Sequence, residues 1–137
     1  MILIGHGSRA AGADDAMDRI AGELRATRGG IVEVCRMEGR GLPFAETFAR
    51  CLEQGADEVI VLPYFLHFGV HLRRDIPEML MDAAAKHPRV RLVLGRHLGY
   101  DESLVALVRK RLQESEGLGD VRDLTPAPID QWPGEQE

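Results

Sequence analysis

No run of apolar residues in this sequence reaches the roughly 18 that a membrane-spanning helix needs. Met1 moves through Ile2-Leu3-Ile4 straight into glycine, with no charged leader and no long apolar core of a signal segment. A cytoplasmic protein without a membrane partner is therefore expected. Cysteine is scarce. Cys35 and Cys51 fall inside expected regular elements rather than in a C-x-x-C pair, and read as reduced, buried thiols. Basic charge is in deficit, with Lys+Arg 17 against Asp+Glu 22 and a net charge of -5. That balance argues against a nucleic-acid partner, so an anionic ligand would need a locally basic patch. The length of 137 residues allows one domain with a real core, but would cramp a complete six-stranded dinucleotide fold.

What is present is an ordinary globular balance of 45% hydrophobic and 28% charged residues, arranged in alternating periods. A strand at Ile2–Ile4 precedes a helix over Ala10–Arg28, whose apolar positions include Met17, Ile20, Ala21 and Leu24. Gly29-Gly30 stops it. A β-branched strand follows at Ile31–Cys35, then a helix from Pro43 to Gln54. "EVIVLPYFL", Glu58–Leu66, reads as a central strand covered on both faces. A helix over Asp75–Lys86, a strand at Val90–Leu94 and a helix over Glu102–Glu114 complete the pattern. The order β-α-β-α-β-α-β-α predicts an α/β fold: one domain over residues 1–115, a four-stranded parallel sheet with helices on both faces. Residues 116–137 turn to Gly, Pro, Asp and Glu, which fits a mobile tail or one packing through Trp132 on its own body or a second subunit.

Ligands of such sheets bind outside the carboxyl ends of the strands. Gly5-His6-Gly7-Ser8-Arg9-Ala10 stands at the first of these ends and satisfies G-x-G-x-x-A, a nucleotide-binding pattern that is weak alone and has no use for a histidine between its glycines. Of the five histidines, His6, His67, His71 and His97 all fall at strand ends. Imidazole suits cobalt, nickel, zinc and iron. His67 and His71 share a face if their segment is helical. Single histidines also serve as plain loop donors, and for His87 and His97 that role is the expectation. Arg9, Arg40, Arg73 and Arg74 read either as a solvated face or as a basic rim that grips a polycarboxylate. Met37, Phe65, Leu66 and Phe68 read either as core or as a wall for a flat ring.

"LIGHGSR" followed by "VIVLPYFLHFGVHLRRDIP" resembles the short sirohydrochlorin chelatases, whose pattern is G-H-G-S-R and then P-x-F-L-x-x-G-x-H-x-x-x-D-I-P. Pro63, Phe65, Leu66, Gly69, His71, Asp75, Ile76 and Pro77 match the second motif, and His67 departs from it. The resemblance implies insertion of a divalent metal into sirohydrochlorin or a related acidic tetrapyrrole, in cobalamin- or siroheme-type synthesis. Cobalt is the first expectation, with iron or nickel also open, and no cofactor is implied beyond that metal substrate. It also implies a homodimer in which two short subunits replace the two halves of longer chelatases. Carried across by position, His6 and His71 become the metal-binding and proton-accepting pair, and Glu38 stands near an acidic position of the family as a candidate ligand; His67, outside the pattern, is either an added ligand or faces away. Ser8, Arg9, Arg40, Phe68, Gly69, Arg73 and Arg74 become the expected substrate contacts. A carrier that binds metal or tetrapyrrole without turnover shares all these residues and is the alternative.

Overall fold

A computed structural model of the chain describes residues 1–7, 15–38 and 41–123. The chain divides into two compact units, Met1–Gly99 and Tyr100–Glu137. In the first, strands β1 (Ile2–Gly5), β2 (Glu33–Arg36), β3 (Glu58–Pro63) and β4 (Arg91–Leu94) pair in parallel in the order β2-β1-β3-β4. Parallel neighbours cannot be joined by a tight turn, so each connection is a crossover carrying a helix. These are α1 (Asp15–Arg28), α2 (Phe44–Glu53) and α3 (Ile76–Lys86).

The pleat of β1 sorts the helices between the two faces. Ile2 and Ile4 join Cys35, Val59 and Val61 in a core with Phe44, Phe48 and Cys51 of α2 and Ile76 and Leu80 of α3. Leu3 points the other way and is buried, as are Met17 and Ala21 of α1. Gly5 shares that second face, and Met17 Sδ lies 2.8 Å from where a β-carbon on Gly5 would stand. Arg25 in the last turn of α1 ties the helix to the sheet by donating from Nε to the Val32 carbonyl at 2.7 Å. The four-stranded parallel sheet with helices on both faces is thus present.

Two expectations are corrected. The third strand ends at Pro63 rather than Leu66. Tyr64 still donates to Ile4 O at 2.7 Å, after which the chain leaves the sheet. Nor is this strand covered throughout on both faces. Val59 and Val61 are buried but Ile60 is 36% exposed, because α1 packs on β1 and β2. In the second unit, α4 (Glu102–Ser115) opens at Asp101, whose side chain accepts the Ser103 N–H at 2.8 Å. A short 3-10 turn follows at Val121–Asp123, within the stretch expected as tail, and Trp132 lies outside the described residues. No helix among the described residues is long and apolar enough to cross a membrane.

Candidate active site

The chain steps from β1 outward to β2 and then returns to lay β3 on the other side of β1. Crossovers leave β1 and β3 in opposite directions, which opens a crevice at their carboxyl ends. His6 follows β1 directly, and His71 follows the loop that leaves β3. Their ring centroids are 4.9 Å apart, with the planes at 79°.

Glycine and backbone pairing set the first ring. The bonding between β1 and β2 continues past both strands, with Met37 N–H to Gly5 O and Glu38 N–H to His6 O, each 2.9 Å. This runs the next peptide against Glu38. Gly7 has φ +95, and a β-carbon there would stand 1.8 Å from Glu38 O. Only glycine fits this crossing. Beneath the loop lies Arg36, its side chain 11% exposed and paired with Asp18 at 2.9 Å.

A wide helical turn sets the second ring. His71–Asp75 form a π turn, closed by the Ile76 N–H donating to His71 O. Pro77 accounts for the widening. In a continuous α-helix its ring would press on the Arg73 carbonyl, and it has no N–H to give. An expanded turn absorbs that conflict, as such insertions do at functional sites. It also brings Asp75 under His71, with Oδ2 2.9 Å from Nδ1, while Oδ1 takes Arg74 Nε at 3.2 Å. Asp75 had been legible as part of the motif but not as a partner of the histidine.

The model of the CbiX family matches residues 1–115 of this chain. The chain belongs to the CbiX family. It is 31% identical over 116 residues to the sirohydrochlorin ferrochelatase of Priestia megaterium, covering 84% of this chain and 44% of that one. It is 30% identical over 117 residues to the sirohydrochlorin cobaltochelatase of the same organism, covering 84% and 38%. The crystal structure of the sirohydrochlorin chelatase SirB from Bacillus subtilis subspecies spizizenii, in complex with cobalt, matches with a TM-score of 0.77 at 29% identity, over 82% of this chain and 49% of that one. This CbiX chain spans about half the length of the curated relatives it matches.

Around the histidine pair of this CbiX protein the other candidates sort by position. Glu38 is exposed and meets the site through its backbone. Exposed His67 lies in the loop before the π turn, off the helical face of His71, and makes no hydrogen bond, ion pair or ring contact with a described residue. Among the described residues no three His, Cys, Asp or Glu side chains gather as a metal cage. Phe68 is 56% exposed, with the Arg73 guanidinium 5.2 Å from its ring centre and His97 at 5.6 Å. Arg74 is exposed beside Asp75. Gly69 has nothing within 4 Å of its missing β-carbon, so crowding does not require glycine there. Phe65 packs on the core and faces His71 at 6.4 Å. His87 ends α3 with its ring edge-on to Phe48 at 5.3 Å, a packing contact rather than the carbonyl-donor role expected of it. Ser8, Arg9 and Arg40 lie outside the described residues. Neither cysteine competes for metal as a thiolate: both are free and buried, and burial pushes the Cys35 thiol up to about 12 and raises Cys51.

Proposed function

We propose that this protein is a chelatase that inserts cobalt or iron into sirohydrochlorin or a related acidic tetrapyrrole, working in the cytoplasm as a homodimer. The observation that carries the reading is the His6–His71 pair, 4.9 Å apart at the switch point of the sheet. Two imidazoles leave most of a metal's coordination positions to water and incoming pyrrole nitrogens, which suits a metal that must be handed on. As the metal passes to the macrocycle, each ring nitrogen it vacates has a lone pair free to accept a proton. Two pyrrole N–H protons leave the macrocycle in that exchange, and two imidazoles stand there to take them.

The surrounding loop supports a flat, carboxylate-rich substrate. Leu66, Phe68 and Val70 are exposed apolar side chains on one strand-end loop, and Arg73 and Arg74 follow them. Arg9, Arg40 and the backbone around Ser8 and Gly69 complete the proposed carboxylate contacts. Pairing of two copies is what the resemblance to the short chelatases implies. Relatives named for iron and for cobalt stand at 31% and 30% identity, so likeness favours neither metal; cobalt is the first to test. Absorbance of sirohydrochlorin, followed anaerobically with cobalt, iron or nickel, is expected to show catalysed insertion with cobalt or iron. No acceleration over the spontaneous reaction with any metal overturns the proposal, and stoichiometric binding without turnover marks a carrier. His71→Ala should remove insertion while the protein stays folded by circular dichroism.

A further inference from the structure

We propose that Asp75 is a positioning residue that holds His71 as the tautomer protonated on Nδ1, leaving the Nε2 lone pair as the donor to metal. The role of Nε2 rests on the chelatase reading, whereas the tautomer itself does not. Nδ1 of His71 is closed off from solvent and has no hydrogen-bond partner of standard geometry. Asp75 Oδ2 lies 2.9 Å from it, within hydrogen-bond distance but off the direction of a standard bond. A neutral imidazole carries its proton on one nitrogen only. With Nδ1 buried against a carboxylate oxygen, a lone pair there would face negative charge without a proton between them. A proton on Nδ1 removes that conflict and satisfies the buried atom.

The other carboxylate oxygen is already engaged by Arg74 Nε at 3.2 Å, which limits how Asp75 can rotate away. The π turn supplies the spacing, since His71 and Asp75 are its first and last residues. Nε2 sits on the opposite edge of the ring from Asp75. A carboxylate behind an imidazole fixes ring orientation and raises the basicity of the distal nitrogen, and losing such a partner typically weakens metal binding 10–100-fold.

The test uses the full chain free of metal, with nitrogen-15-labelled histidine and long-range proton–nitrogen correlation spectra. The wild type is expected to show His71 protonated on Nδ1. Asp75→Ala should relax it towards a mixture of tautomers, and Asp75→Asn, whose amide oxygen can still accept, should restore much of the wild-type signal. Cobalt alone, titrated calorimetrically, should bind Asp75→Ala on the order of 10–100-fold more weakly, with Asp75→Asn between the two. Unchanged tautomer populations in a folded Asp75→Ala variant overturn the proposal, as does a wild-type His71 protonated on Nε2. Because the spectra are recorded without metal or macrocycle, failure of the chelatase reading would leave their outcome intact and separately legible.

Discussion

Replacing Gly7 by alanine places a β-carbon where the chain has no room for one. The nearest atom would be Glu38 O at 1.8 Å and the next Glu38 C at 2.8 Å, both backbone, so no flexible side chain can yield. Alanine at φ +95 also adds backbone strain of about 1–3 kcal/mol. To reach ordinary contact the two loops must part by more than an ångström. That breaks the Glu38 N–H bond to His6 O, now 2.9 Å, worth about 1 kcal/mol. The sum, about 2–4 kcal/mol, corresponds to a melting point lower by roughly 10 °C for a domain of this size. His6 shifts with the loop, and a misplacement of about 1 Å at a reacting centre can lower turnover on the order of 100-fold. Thermal melting and the insertion assay measure the two effects separately. A Gly7→Ala protein that melts within about 2 °C of wild type would refute the close crossing on which both magnitudes depend.

Gly22→Ala is the converse. Gly22 lies inside α1 with nothing within 4 Å of its missing β-carbon, and alanine there should stabilise by about 0.5–1 kcal/mol, seen as a higher melting point. Burial raises the Cys35 thiol from 9.0 to about 12, so folding favours the neutral form. Its contribution to stability should hold below pH 9 and fade as pH climbs from 9 towards 12, and urea midpoints should show this pH dependence diminished in Cys35→Ala. His67→Ala should leave cobalt affinity and turnover within about 2-fold of wild type, because exposed side chains without partners contribute little; a loss beyond 10-fold would place His67 among the ligands.

Much of this was written in the sequence because alternating periods determine layer architecture. The strand ends followed from it except at the third strand, and His6 and His71 stood out as a pair through the resemblance. The order β2-β1-β3-β4 was not legible, since periodicity says which residues face a core but not which strands are neighbours. Asp75 escaped as a partner of His71 for a related reason. The helix was expected to begin at Asp75, which left His71 in a loop, whereas the π turn carries both residues. A widened turn has no signature in a 3.6-residue period, and its cause, Pro77, reads equally well as the first residue of an ordinary helix. The apolar run after Glu58 misled in the opposite sense: Leu66 looks like strand, yet it is exposed beyond the strand's end.

His6 and His71 come from segments far apart in the chain, joined through the pairing of β1 with β3. On the proposed chelatase reading, the metal-binding pair therefore exists only once that pairing has formed. An incompletely folded chain holds two isolated imidazoles and competes poorly for scarce metal, so capture is deferred until the fold is complete. Thermodynamic linkage makes the relation mutual: a metal present at 100 times its dissociation constant would add about 2.7 kcal/mol to the native state. On that reading metal supply becomes a determinant of how long each folded copy survives, as well as the material it would handle.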